Sequence, residues 1–255
     1  MMMLELRVLG VCAAYPAFED ACSGYLISDG DILILLDCGP GIMAKLPGYV
    51  SYFDLTAIVI THLHTDHYLD LFPLRYALTY SFSRPEHYKK IPLIMPPGDY
   101  DQLFPLMTKD REKFDELFLP IPISEQQILT FGDLKLEFRA ANHPIQTFAC
   151  RISDQFNRTF VYTSDTGWSD DLTDFANSAE LILCEATMQD QHQDLTKSGH
   201  MTARQAGTLA ARSGAKRLML THIWPEYDRE ISRREAFESW GQPVEVAMTG
   251  HSIVI

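Results

Sequence analysis

The segment Thr61-His62-Leu63-His64-Thr65-Asp66-His67 puts three imidazoles and a carboxylate within six residues. It directly follows an apolar run, where such groups are costly to bury unless they bind something. Imidazole nitrogen and carboxylate oxygen are ligand types for zinc, manganese or iron. His62 and His64 alternate along an extended segment and can close on one ion. Asp66 and His67 follow as the chain turns and can reach a second ion nearby. Three further residues stand in similar settings, each just past an apolar run: His143 before Pro144, Asp165 in Thr163-Ser164-Asp165-Thr166-Gly167, and His222 in Leu220-Thr221-His222-Ile223. Taken singly, each reads as a loop or cap residue. Taken with the histidine cluster, they supply three more ligands, one of them able to bridge.

Positioning such residues requires strands that end together. Short apolar runs bounded by Gly, Pro or Asp predict strands over 4–9, 24–28, 32–37, 57–61 and 91–95. The same reading gives strands at 134–140, 148–152, 159–163, 181–184, 217–221, 244–246 and 252–255. Several are continuous runs, as expected of strands buried on both faces. A helix is predicted over 71–81, with Asp70 as its N-cap and Pro73 tolerated in the first turn. Thr202-Ala203-Arg204-Gln205 forms a capping-box pattern, and the helix it opens should stop near Ser213-Gly214. Residues 99–117 predict one or two short helices broken at Pro105, and 228–240 another with a charged face. Helices interspersed with strands in both halves, without a repeat or linker, predict one α/β (α+β) layered domain over residues 1–255.

The 255 residues are 46% apolar and 22% charged, the composition of an ordinary globular chain with ample material for a core. Lys plus Arg is 21 against 34 for Asp plus Glu, a formal balance of −13. That balance lacks the broad positive field that holds long nucleic acid by its phosphates. An anionic substrate would have to be drawn in locally, by a bound cation for instance. Five scattered cysteines without a CxxC pair predict reduced thiols. Residues 1–10 read as a first strand and not a signal peptide, and no run suits a membrane span. The expectation is a cytoplasmic protein.

The HxHxDH cluster, the strand-end His143, the S-D-T-G Asp165, the T-H of His222 and the early Asp37-Cys38-Gly39 turn together resemble the metallo-β-lactamase superfamily over essentially the whole chain. The resemblance implies a four-layer αββα sandwich with a dinuclear site at one edge of the two sheets. It implies that His62, His64 and His143 hold one divalent ion, that Asp66, His67 and His222 hold the other, and that Asp165 bridges them. Zinc is the expected metal and manganese the alternative.

Leu183-Cys184-Glu185-Ala186-Thr187 and Gly199-His200-Met201-Thr202 resemble the H-E-A-T and G-H-[SLM]-T segments of the tRNase Z and related phosphodiesterase branch. There the Glu orients the His. By that resemblance His200 is the general acid, Glu185 its orienter, and Asp66 both binds and orients. A carboxylate-held imidazole suits protonation of a phosphodiester leaving oxygen near neutral pH. Two departures separate the chain from tRNA-processing members. Cys184 replaces the His of H-E-A-T, and only 21 residues lie between His143 and Asp165, too few for a tRNA-gripping arm. The H-L-H-x-D-H-x-x-D-L form from His62 to Leu71 is similar to small phosphodiesterases. A phosphodiesterase for a small phosphodiester or nucleotide is therefore expected, with a homodimer plausible. The alternatives are tRNA 3′-processing and hydrolysis of a thioester or lactone. Tyr15, Phe18, Trp168, Trp224 and Tyr227 flank strand ends, where they either pack or stack a base. His192 could rim the pocket.

Overall fold

The structure is a computed structural model that describes residues 3–255; Met1 and Met2, included in the reading of the N-terminal segment, lie outside the described residues. Strands β1 (Glu5–Gly10), β2 (Gly24–Asp29), β3 (Ile32–Leu36), β4 (Ala57–Val59), β5 (Ile91–Met95) and β6 (Phe118–Pro122) lie side by side in that order. A second sheet follows the same rule with β7 (Leu129–Phe131), β8 (Leu134–Ala140), β9 (Phe148–Ser153), β10 (Thr159–Tyr162), β11 (Leu181–Glu185), β12 (Leu218–Thr221) and β13 (Val244–Val246). The last strand, β14 (Ser252–Val254), crosses back and pairs antiparallel with β1. Both sheets therefore read across as three antiparallel pairings followed by three parallel ones.

Alternation along these strands sorts the apolar side chains into three cores. Tyr25, Ile27, Ile34, Leu36 and Val59 of the first sheet meet Leu136, Phe138, Phe160, Tyr162 and Leu183 of the second. The intervening Leu26, Leu35 and Ile58 face outward and are covered by α1 (Ile42–Lys45), α2 (Thr65–Tyr68), α3 (Leu71–Tyr80), α4 (Asp99–Met107) and α5 (Arg111–Asp115). Val161, Ile182, Cys184 and Leu220 face the other way, under α6 (Asp170–Phe175), α7 (Ala203–Ser213) and α8 (Arg229–Trp240). The result is the expected four-layer αββα sandwich in one domain. Each fully buried Leu or Phe contributes about 1.5–3 kcal/mol, so truncating a central residue such as Phe160 to Ala costs about 3–5 kcal/mol.

Four local expectations need correction. Asp70 does not cap α3 with its side chain; its carboxylate accepts from the amides of Gly41 and Met43 at 2.9 and 2.8 Å, and so ties down the start of α1. Pro105 sits inside α4, which continues to Met107, and the break falls at Thr108. The edge strands β6 and β7 were not expected. In β6 the prolines Pro120 and Pro122 are tolerated because only one side of the strand is paired. Helices α1 and α6 were likewise unread. The capping box of α7 forms with both of its hydrogen bonds, and Gly214 ends the helix in the left-handed region. Among the described residues no helix is long and apolar enough to cross a membrane.

Candidate metal centre

Strands β10, β11 and β12 run parallel, as do β3 and β4, so their carboxyl ends collect along one edge of the sandwich, where ligands of such sheets bind. Asp37 follows β3, His62 follows β4, Asp165 follows β10, Glu185 ends β11 and His222 follows β12. Three of these strand ends turn through a non-glycine residue in the left-handed region: Asp37 at φ 57°, Ser164 at 54° and His222 at 51°. Such residues are uncommon and cluster at functional sites. Gly39 allows the turn after Asp37 to lie against the backbone of Asp66, since a Cβ there would stand 1.9 Å from the Asp66 carbonyl oxygen.

The seven expected ligands come together. His62, His64, His143 and Asp165 each offer a donor atom within 4.8 Å of the others, and Asp66, His67 and His222 form a second such group. His143 Nε2 lies 3.1 Å from His64 Nδ1, and His67 Nε2 lies 3.3 Å from His222 Nε2. His222 Nε2 is also 3.1 Å from Asp66 Oδ2. Asp165 stands between the groups, with Oδ2 3.6 Å from His62 Nε2 and Oδ1 3.3 Å from His67 Nε2.

A further layer of hydrogen bonds orients these rings. His67 Nδ1–H donates to Asp37 at 2.8 Å, His143 Nδ1–H to the Gly199 carbonyl at 2.8 Å, and His222 Nδ1–H to the Thr187 hydroxyl at 2.8 Å. His62 Nδ1–H faces the Thr61 hydroxyl at 3.1 Å. Each bond fixes a tautomer whose Nε2 lone pair points into the site, the arrangement typical of metal-binding imidazoles. Asp37 is fully buried and also accepts from the amide and hydroxyl of Thr61 and from the Tyr162 hydroxyl. Sequence reasoning placed Asp37 in a family turn but missed this orienting role. It missed Thr61, Thr187 and the Gly199 carbonyl altogether.

The donor set fits a cation. His62 Nε2 is buried without a hydrogen-bond partner, and such an atom in a polar site calls for a ligand. Burial, with His67 close by, pushes His62 well below the ordinary imidazole range, and burial lowers His64 and His143 as well, which leaves neutral ligating rings. Burial alone would lower His67, but the carboxylates of Asp165, Asp37 and Asp66 raise it well above that range. Burial opposes ionisation of Asp165, yet His222 and His67 hold it well below the usual carboxylate range. A cluster of buried anions thus demands positive charge, and a cation or a proton must provide it.

Glu185 and His200 also meet here. His200 Nδ1 lies 3.0 Å from Glu185 Oε1, and the fully buried carboxylate accepts from the amides of Thr166, Thr187 and Met201. Burial works against a charged His200, but Glu185 outweighs it and raises the ring to about 9. The His200 ring centroid is 5.1 Å from that of His143 and 5.8 Å from that of His222. Cys184 points to the opposite face of β11, among the side chains under α7, so this departure from the H-E-A-T pattern does not reach the site. A cavity of about 340 Å³ opens over the cluster, lined by His64, Asp66, Asp165, Thr187, His200, His222 and Trp224 among others. Of the aromatic candidates, Trp224 lines it and Tyr15 contacts Trp224 edge to face at 6.0 Å. Trp168 packs instead beneath the guanidinium of Arg212, and Phe18 is almost wholly exposed.

Comparison with known proteins agrees with this architecture. Residues 33–223 match the Beta-lactamase superfamily domain. The probable metallo-hydrolase YhfI of Bacillus subtilis is 33% identical over 250 residues, covering 97% of this chain and 98% of its own. The crystal structure of that metallo-beta-lactamase fold protein superposes with a TM-score of 0.89 at 31% identity over 100% of both chains. A ribonuclease Z of Halorubrum lacusprofundi is 26% identical over 295 aligned positions, covering 94% of this chain and 93% of the relative.

Proposed function

The chain belongs to the beta-lactamase superfamily as a metallo-hydrolase, and on that premise we propose that it is a phosphodiesterase acting on a small phosphodiester such as a cyclic nucleotide. The observation behind this reading is the Glu185–His200 pair, with His200 Nδ1 held at 3.0 Å and its ring beside both ligand groups. A thioester or lactone needs little help to expel its leaving group. An alkoxide leaving phosphorus does need a proton, and an oriented, protonated imidazole provides one.

His62, His64 and His143 would hold one divalent cation, Asp66, His67 and His222 a second, with Asp165 shared between them and zinc or manganese as the metal. Bound there, such ions supply Lewis acidity toward water and toward the phosphoryl oxygens. The protein's own groups do the rest. Asp66 is held in place by the Ala14 amide at 2.9 Å and fixes the His222 side of the site. Glu185 keeps the His200 Nδ1–H directed at itself, so that Nε2 presents its proton to the departing oxygen. After that transfer the Glu185 charge favours reprotonation of the ring.

A small substrate is favoured over tRNA. Neither Lys nor Arg lines the cavity, the chain's balance is −13, and β9 and β10 form a hairpin between His143 and Asp165 with no arm. The ribonuclease Z alignment is longer than this whole chain, so that relative has insertions that are absent here. The test is hydrolysis by metal-quantified protein of bis(p-nitrophenyl) phosphate, cyclic mononucleotides, a pre-tRNA, an acyl thioester and a lactone. Preference for the first two supports the reading. Preference for the thioester or lactone, or cleavage of the pre-tRNA alone, overturns it.

A further inference from the structure

A second cavity of about 300 Å³ adjoins the first and shares Trp224 as a wall. Its other walls are Met188, His192, Leu195, Glu226 and Tyr227. We propose that this cavity is the subsite for the base of a nucleotide phosphodiester, stacked against Trp224 while the phosphate occupies the histidine-lined cavity next door. The inference rests on the phosphodiesterase reading and adds the chemistry of the substrate's other end.

Three observations converge on a flat, neutral, nitrogen-bearing group. The walls are aromatic and apolar: the His192 and Tyr227 rings are parallel to within 19° at 5.5 Å, and Trp224 lines both cavities. Aromatic side chains stack any base, because every base has a π-face. No Lys or Arg is among the residues lining this cavity, so a second phosphate has no permanent cation to meet it. Glu226, whose carboxylate accepts from the Tyr15 hydroxyl, places an acceptor at the rim that repels anions and welcomes an exocyclic amine or ring N–H.

The spacing from the metal centre is set covalently. Trp224 is two residues past His222, Met188 three past Glu185, and Leu195 five before His200. The Gln189 side chain also ties this loop to α8, donating to the Asp228 carbonyl at 2.8 Å and to Ser232 at 3.1 Å. A base held here is thus kept in fixed register with the ligand cluster, and binding energy gained at the base serves to position phosphorus.

The test uses full-length, metal-loaded protein carrying W168F and W240F, so that Trp224 alone reports by fluorescence. AMP should quench Trp224 saturably and bind at least tenfold more tightly than ribose 5-phosphate by calorimetry. Leu195 is half exposed, so Leu195→Glu leaves the fold intact, and it should weaken AMP at least tenfold while shifting ribose 5-phosphate less than twofold. Equal binding of AMP and ribose 5-phosphate, or AMP binding unmoved by Leu195→Glu, overturns the subsite. Neither measurement needs turnover. If no phosphodiester is hydrolysed but AMP binds as described, the phosphodiesterase reading fails and the base subsite stands.

Discussion

Glu185 holds His200 Nδ1 at 3.0 Å while accepting three backbone amides, so the carboxylate cannot swing away when the imidazole changes charge. In the proposed reaction the pair acts on a proton, and the seven other side chains form the two ligand groups without it, although His200 also has a ring nitrogen within 4.8 Å of donor atoms of Asp165 and His222. His200→Ala should therefore lower kcat on bis(p-nitrophenyl) phosphate by about 10²–10⁴-fold, with metal content by elemental analysis unchanged. Loss of metal in the variant, or wild-type turnover, would remove His200 from its assigned role.

The pH profile follows from the same contact. With His200 raised to about 9, the acid form persists through neutrality, and kcat should fall on the alkaline side as the ring loses its proton near that value. Glu185→Gln removes the charge that raises the ring, so the alkaline limb should move to lower pH, toward the ordinary imidazole value of about 6.5. A profile measured from pH 6 to about 10 in both proteins reads the shift. An unmoved limb would mean that Glu185 does not tune this group.

Asp37 is fully buried and fixes the His67 ring through a 2.8 Å hydrogen bond inside a network with Thr61 and Tyr162. Asp37→Asn should weaken metal binding by about 10–100-fold, measured by competition with a chromophoric chelator. Affinity equal to wild type would show that His67 needs no such support.

Chelation tests the charge balance of the whole centre. The buried Asp66 and Asp165 face one another across histidines, and a cation present at about a hundred times its Kd contributes about 2.7 kcal/mol of stability. In a chain of this size that corresponds to roughly 5–10 °C. EDTA followed by desalting should lower Tm by that amount and abolish turnover, and zinc or manganese should restore both. An unchanged Tm would indicate that protons alone balance the carboxylates.

The histidine cluster and the strands were legible because both patterns are dense. Strands β3, β4, β10, β11 and β12 are buried on both faces and read as continuous apolar runs, and a polar residue directly after each run marks where the edge of the sandwich lies. The pairing of His200 with Glu185 was legible only through family resemblance, since nothing in a lone carboxylate and a lone imidazole fifteen residues apart announces contact. The orienting groups left no trace. Thr61 and Thr187 look like any threonine beside a strand end, and Gly199 acts through its carbonyl, which every residue has. Strand β6 was hidden by Pro120 and Pro122, and the second cavity by its assembly from a 3-10 segment and a loop that meet only in the fold.

The return of β14 to the first sheet bears on the order of events during synthesis. Until residues 252–254 have emerged, β1 keeps an open flank, and the half of the sandwich made first cannot close its sheet. The histidine turn is made early, but its partners stand 79 and 155 residues downstream, at His143 and His222. The first ligand group is thus complete only once Asp165 has been made, and the second only once His222 has. A chain that stops before residue 222 would present a nearly complete first layer of strands with a half-built cage, its unpaired β1 edge exposed to aggregation.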